Sequence, residues 1–142
     1  MTISRILRYS AATALAALLA ACASGPSVSG NWQDLGTTGN GNIKAAIDKS
    51  SIKRNGNLAT FRDKKTIIKP SEERYVNTPR YKTAVGEWEI HCTNRTYRLT
   101  SLQLLDESGR ELMKQQYTAA GLRPMSIMSG SITEKQFEAV CK

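Results

Sequence analysis

The cysteines are the residues of this sequence whose type and spacing best suit covalent chemistry. Cys22 follows Leu19-Ala20-Ala21 at the end of an apolar run. This tetrapeptide looks like a lipobox, in which the thiol is joined to diacylglycerol by a thioether and the chain is cut before the cysteine. The alternative is an ordinary signal peptide with an incidental cysteine. All four positions match at the end of the run, so the sequence predicts lipidation of Cys22.

The residues before Cys22 have the pattern of an export signal. Arg5 and Arg8 form a short basic start, and residues 11–21 are apolar or small except for Thr13. Such an apolar stretch is typical of a secretory signal and is shorter than the ~20 residues that a membrane-spanning helix needs. The sequence therefore predicts a signal peptide over residues 1–21. Ala and Ser follow Cys22, as in lipoproteins passed on to the outer membrane, so we expect a lipid anchor there.

Cys92 and Cys141 form an even pair in what would be an oxidising compartment, which favours a disulfide. Closing a loop of roughly 50 residues contributes on the order of 4 kcal/mol in the chain-entropy model. Two buried free thiols, or a metal site that includes His91, are the alternatives. Because His91 and Cys92 are neighbours, they point to opposite faces of a strand, which disfavours the metal site. We expect a disulfide, no metal and no cofactor.

An enzyme is poorly supported by the remaining residues. The single histidine has no obvious nucleophile beside it, and the three cysteines are assigned to other roles. The sequence contains no GxSxG, HExxH, P-loop or paired-carboxylate motif. We therefore expect a protein that is not an enzyme.

Positive charge is concentrated in the middle of the chain. Loss of residues 1–21 removes Arg5 and Arg8 and lowers the formal net charge from +8 to +6. Eleven basic residues but four acidic ones lie between Lys44 and Lys82. A field of this sign favours acidic partners, although a solvated basic face is the plainer interpretation. Export argues against nucleic acid as the partner. The candidate binding patch consists of Arg62, Lys64, Lys65, Lys69, Arg74, Tyr75, Arg80, Tyr81 and Lys82.

The rest of the chain reads mainly as strands. Residues 43–52 and 58–68 flank Asn55-Gly56, a strong hairpin signal. Residues 69–81 contain two prolines and predict a long exposed loop. Residues 81–93, 96–105 and 110–117 resume strand character, and Gly109 is placed to take a left-handed conformation in the last hairpin.

A capping-box pattern at Ser131 and Glu134 predicts a helix that brings Cys141 to the sheet. We expect a lipidated cysteine and flexible tether over residues 22–30, followed by one domain over residues 31–142. The fold class is α+β: an antiparallel sheet of about six strands with a C-terminal helix pinned by the disulfide. A small β-barrel closed by the same helix is the alternative.

These features together resemble the surface-adhesin protein E family of Gram-negative outer-membrane lipoproteins. The resemblance depends on the lipobox, Trp32, the Ile47–Ile52 stretch, the strand bearing Cys92 and the Ala139-Val140-Cys141 ending. It implies an antiparallel sheet, lipid on Cys22 and a bridge between Cys92 and Cys141. It also implies binding of host matrix proteins such as vitronectin, laminin and plasminogen. No contact residues can be transferred, because the family's ligand-binding segments carry no short motif.

Several functions fit these expectations. The first is a surface-displayed module that binds matrix proteins or acidic glycans through the basic patch. The second is an envelope lipoprotein that faces the periplasm and binds other envelope components or anionic lipid. A lysozyme inhibitor is the weakest, because the common lysozymes are basic and would be repelled by a chain of charge +6.

Overall fold

The computed structural model describes residues 28–38 and 40–142. The predicted signal peptide, Cys22 and the tether up to residue 27 lie outside the described residues. The strands and the helix are β1 (Trp32–Thr37), β2 (Ile43–Asn55), β3 (Leu58–Ile67), β4 (Thr83–His91), β5 (Thr96–Leu105), β6 (Glu111–Gln116), β7 (Met125–Ser126) and α1 (Ile132–Cys141). None of the described residues forms a helix long and apolar enough to cross a membrane.

The sheet is an open antiparallel meander. Strands β1 to β6 lie side by side in chain order, and the two-residue β7 pairs with β5 outside this path. The predicted sheet of about six strands with a terminal helix is confirmed. The alternative of a closed barrel is wrong, because β1 and β6 lie at opposite edges of the sheet. Closure would require tilted strands that enclose the core between them, whereas the helix covers the apolar side chains of β1, β2 and β3.

The turns follow the local sequence closely. Strand β2 ends at Asn55 and β3 begins at Leu58, so the predicted hairpin is confirmed, with Gly56 at a φ of 60°. Gly109 has a φ of 84° in the β5–β6 turn, as predicted. A register shift between β4 and β5 at Glu87 and Trp88 interrupts the alternation of β5. This bulge explains why the sequence of β5 alternates less cleanly than that of β4.

The two faces of the sheet have different partners. On the helix face, α1 packs over β1, β2 and β3, and the core consists of Leu35, Ala45, Ile47, Ala59, Phe61, Ile90, Phe137 and Val140. On the opposite side, called the open face here, Trp32 lies across from Asp48, and Asp48 lies across from Arg62. Because side chains alternate along a strand, each strand contributes to both faces.

Helix α1 is fixed at both ends. The Ser131 side chain accepts a hydrogen bond from the backbone N–H of Glu134 at 3.1 Å. The Glu134 carboxylate accepts from the N–H of Gly130 at 3.2 Å, one residue before the position that a capping box uses. At the other end, Cys141 is bonded to Cys92, with 5.6 Å between their Cα atoms. The predicted disulfide is confirmed, and it joins the helix to the end of β4.

Candidate functional site

The nine residues of the predicted patch occupy three different surfaces. Arg62 and Lys64 project from β3 to the open face. Lys65, one position further along β3, lies on the helix face and pairs with Asp63. The other six belong to the β3–β4 connection, which lies beside the β1–β2 and β5–β6 connections at what we call the loop end: Lys69, Arg74, Tyr75, Arg80, Tyr81 and Lys82. A contiguous basic run in the sequence is therefore divided among three surfaces.

On the open face, Trp32 lies between two cations of β3. The Arg62 guanidinium carbon is 5.1 Å and the Lys64 ammonium nitrogen 4.5 Å from the centre of the indole ring. The indole N–H donates to the carbonyl of Val28 at 2.8 Å. Cations attract the electron-rich face of an aromatic ring, so these contacts hold Trp32 against the strand. The sequence identified Trp32 as an early aromatic residue of the domain but did not place it beside the patch.

A partly buried ion pair fixes the start of the domain on the open face. The Arg62 Nη2 atom lies 2.6 Å from the carboxylate of Asp48, whose side chain is 3% exposed. The same carboxylate accepts from the backbone N–H of Asn31 at 3.0 Å and from the Ser50 hydroxyl at 2.6 Å. Burial raises the pKa of Asp48, but hydrogen bonds from Ser50, Arg62 and two backbone N–H groups lower it more, to about 2. Asp48 is therefore ionised at neutral pH.

The last residues of the predicted tether run along this pair. Arg62 also donates to the carbonyl of Ser29 at 2.6 Å. At Gly30 the chain is so close to the sheet that an added Cβ would lie 2.9 Å from the side chains of Arg62 and Asp48. Residues 28–30 are thus held against the open face, and the chain enters the domain from that side.

The helix face contains a polar cluster that the sequence did not predict. Asp63 is buried, and its carboxylate accepts from the Trp88 indole at 2.7 Å and from the Gln136 amide at 2.9 Å. Lys65 pairs with the same carboxylate and lies 5.1 Å from the centre of the Trp88 ring. These contacts satisfy a charge that would otherwise be costly to bury. Lys65 therefore has a buried structural partner on the helix face.

The loop end is organised by aromatic and amide contacts. The rings of Tyr75 and Tyr81 meet edge to face, 5.3 Å apart, and the Tyr75 hydroxyl donates to the carbonyl of Tyr81 at 2.9 Å. Burial raises the pKa of both tyrosines. The buried Asn42 amide donates to the Glu73 carboxylate at 2.7 Å and accepts from the N–H of Lys69 at 2.8 Å. These bonds give the predicted loop a defined path. The sequence did not predict this role for Asn42, because nothing distinguished it from its glycine-rich neighbours.

The cations of this loop differ in their partners. Lys69 lies 3.5 Å from Glu72, and the ammonium group of Lys82 donates to the carbonyl of Ile68 at 3.0 Å. Arg74 and Arg80 are exposed, and neither makes a hydrogen bond or ion pair with another residue in the described ranges. A hollow of about 300 Å³ is lined by Pro70, Arg80, Tyr81, Lys82, Asp106 and Glu107.

No group of three or more potential metal ligands occurs among residues 28–38 and 40–142. His91 is exposed, while Cys92 packs against the core and is bonded to Cys141. The two neighbours lie on opposite sides of β4, as the alternation predicted.

The sequence profile of the surface-adhesin protein E family matches residues 32–142. The chain belongs to the surface-adhesin protein E family. The resemblance that the sequence showed is thereby confirmed over all the described residues except 28–31. Membership indicates a cell-envelope or surface protein of the adhesin type. No match to this chain is found among curated protein sequences.

Solved structures of Haemophilus influenzae protein E have the same fold. The selenomethionine form is 14% identical with a TM-score of 0.53, and the match covers 82% of this chain and 91% of that one. Crystal form II is 13% identical with a TM-score of 0.54, and the match covers 83% of this chain and 92% of that one. At this identity the comparison extends to the course of the backbone and not to individual side chains.

Proposed function

We propose that this member of the surface-adhesin protein E family is a non-enzymatic lipoprotein of the outer membrane that binds an acidic ligand through its loop end. The acidic ligand is a host matrix protein, such as vitronectin, laminin or plasminogen, or a sulfated glycan. The observation that carries the proposal is the β3–β4 connection, where an exposed arginine precedes each member of a packed tyrosine pair. Long loops inside compact domains are more often functional than short connectors are.

The charges of this loop are available to a ligand. Arg74 and Arg80 are exposed and unpaired among the described residues, so contact with an acidic group requires no internal ion pair to break. Guanidinium groups also form paired hydrogen bonds with carboxylates and sulfates. Tyr75 and Tyr81 provide a partly buried aromatic base beside them. The loop end thus combines charge with a fixed apolar support, as protein-binding surfaces commonly do.

The described part of the tether, residues 28–30, lies on the open face and not at the loop end. The chain enters the domain on the open face at the level of Asp48, five residues along β2 from Ile43. At ~3.3 Å per strand residue, the loop end lies roughly 16 Å beyond that point. A lipid on Cys22 would be at most about 30 Å from the domain, since residues 22–30 span ~3.3–3.6 Å each. The chain therefore enters the domain at a point that is separate from the loop end.

A double variant tests the loop end. Arg74→Ser with Arg80→Ser should weaken binding to heparin and to matrix proteins by roughly 2- to 30-fold, since exposed pairs contribute ~0.2–1 kcal/mol each. The matched control, Lys49→Ser with Lys142→Ser, removes the same charge elsewhere and should change affinity less. The wild-type affinity should fall as salt rises. Equal losses in the two double variants would refute a specific role of the loop.

Display on the cell is tested separately. Protease or antibody should reach the domain on intact cells while a periplasmic control protein stays protected. Protection until the outer membrane is opened would refute adhesion and favour the second candidate, a periplasm-facing lipoprotein that binds other envelope components. Loss of palmitate labelling in Cys22→Ser tests the lipid anchor, and retained labelling would refute it.

A further inference from the structure

A second basic site lies on the open face of the sheet and shares no residue with the β3–β4 connection. It is a hollow of about 290 Å³ near the β1 edge of the sheet. Its lining is Trp32, Asp34, Lys44, Ala46, Lys64 and Thr66. The residues come from β1, β2 and β3, so the sheet itself holds them in position.

Lys64 differs from its basic neighbours in having no anionic partner among the residues that the structure describes. The ammonium group of Lys44 lies 3.0 Å from Asp34, and the guanidinium group of Arg62 lies 2.6 Å from Asp48. The Lys64 side chain makes no hydrogen bond or ion pair with any other residue of the described ranges, and its ammonium group rests over the ring of Trp32. Burial and the charges of Lys44 and Arg62 lower the pKa of Lys64. An external anion at this point would provide the missing partner.

The other charged groups at the hollow leave room for such an anion. The carboxylate of Asp34 is turned toward Lys44 and the backbone N–H of Gly36, at 3.0 and 2.7 Å. The side chains of Asp34 and Lys44 are 54% and 56% exposed, so this ion pair is weak and can rearrange around a second anion. Lys44 and Lys64 can then share one oxyanion between two ammonium groups.

The hollow also lies beside the point at which the tether leaves the domain. Trp32 donates to the carbonyl of Val28, and Cys22 is six residues before Val28, a span of about 20 Å when extended. A lipidated Cys22 would therefore keep the hollow close to the membrane surface. Tryptophan is favoured at the level of the lipid headgroups, and lysines beside it are attracted to anionic lipid.

We propose that the hollow formed by Trp32, Lys44 and Lys64 binds the phosphate of an anionic lipid headgroup and docks the open face on the membrane. The proposal depends on lipidation of Cys22 for its biological setting, but it does not depend on binding by the loop end. Docking in this way leaves the loop end free at the side of the domain.

The test uses the mature chain with Cys22→Ser, so that an acyl anchor does not dominate binding. The protein is mixed with phosphatidylcholine vesicles that contain or lack phosphatidylglycerol, and binding is measured by co-sedimentation. Quenching of Trp32 by brominated lipid reports contact of the hollow. The Trp32→Phe variant identifies that signal, because Trp88 lies on the helix face. We expect binding and quenching with the phosphatidylglycerol vesicles and little of either without them.

Charge variants locate the site. Lys44→Ser with Lys64→Ser should lower the affinity for phosphatidylglycerol vesicles by roughly 30-fold, at about fivefold per lysine. Lys44→Arg with Lys64→Arg should keep most of the affinity, which excludes a folding defect as the cause. The controls Lys49→Ser with Lys142→Ser, and Arg74→Ser with Arg80→Ser, should lose much less. Equal losses in all the charge-removing variants would mean that net charge alone attracts the vesicles, and would overturn the proposal.

Two further measurements distinguish a lipid headgroup from a soluble ion and from a glycan as the source of the anion. Inorganic phosphate at constant ionic strength should displace the protein from vesicles more than chloride does. A phosphate effect on Trp32 fluorescence without vesicle binding would assign the hollow to a soluble ion and overturn membrane docking. Heparin binding that is lost in the Lys44 and Lys64 double variant, with vesicle binding unchanged, would assign it to a glycan instead.

Discussion

Replacing Asp48 by asparagine should remove a defined part of the stability of the domain. The pKa of Asp48 falls from 3.8 to about 2 in the folded protein. At ~1.36 kcal/mol per pKa unit, ionised Asp48 contributes about 2 kcal/mol to the free energy of unfolding. The Asp48 side chain is almost fully buried but Arg62 is 30% exposed, so solvent screens part of this contribution. The amide introduced by Asp48→Asn would keep the shape of the carboxyl group but lose the charge that faces Arg62.

The pH dependence gives the sharper test. Because the folded pKa is depressed, the contribution is fully present above about pH 4 and is lost as the pH falls toward about 2. The wild type should therefore exceed Asp48→Asn by about 2 kcal/mol at neutral pH, and this difference should shrink toward zero near pH ~2. Hydrogen bonds within the β5–β6 turn also lower the pKa of the partly buried Asp106 to about 2, but Asp106 is present in both proteins and does not affect the difference.

Urea unfolding at a series of pH values, with the disulfide intact, measures this difference. Glu138→Gln, which removes an exposed carboxylate on α1, is the control and should differ little from the wild type at any pH. A difference between wild type and Asp48→Asn that stays constant from neutral pH to pH ~2 would refute the assignment of the low pKa to this carboxyl. The stability loss would then come from packing alone.

Three further changes test the parts that hold the helix and the sheet together. Cys92→Ser with Cys141→Ser should lower the free energy of unfolding by on the order of 4 kcal/mol, measured by urea unfolding; an unchanged midpoint would contradict the role of the bridge. Gly86→Ala would place a Cβ 2.6 Å from the Trp88 indole nitrogen. We therefore expect the free energy of unfolding to fall by roughly 1–3 kcal/mol and the fluorescence of Trp88 to shift. An unshifted spectrum would refute the clash. Ser131→Ala removes the cap of α1 and should cost ~1 kcal/mol in thermal unfolding, whereas Ser131→Asp should cost much less.

Local rules were sufficient to predict most of the backbone. The β2–β3 hairpin, the left-handed Gly109 and the capped helix each depend on residues close together in the chain, and each is confirmed. The pairing of Cys92 with Cys141 is long-range, but two partners remained once Cys22 was assigned to lipid. Whether the sheet closes depends on the relation of β1 to β6, which no local pattern specifies, and here one of the two alternatives was wrong.

The polar contacts of the domain could not be predicted in the same way. Asp63 and Gln136 are 73 residues apart, and each resembles a surface residue in the sequence. Asp48 and Asn42 likewise gain their burial from the tether and from the β3–β4 loop, neither of which has a regular pattern. A buried polar residue is determined by the partner that satisfies it. That partner can be identified once the fold brings distant segments together, but a single sequence does not indicate which distant residue it is.

Because side chains alternate along a strand, neighbouring residues of the basic run lie on different surfaces and can have different roles. Lys64 and Lys65 are adjacent in the chain, yet Lys65 is paired with Asp63 on the helix face and Lys64 has no described partner on the open face. A variant that neutralises both lysines would disturb a buried cluster and a candidate anion site at once. Arg74 and Arg80 belong to a third surface that neither change touches. The loop variants should therefore weaken ligand binding and leave membrane docking intact, whereas the sheet variants should do the reverse. If a single surface served both activities, each set of variants would weaken both.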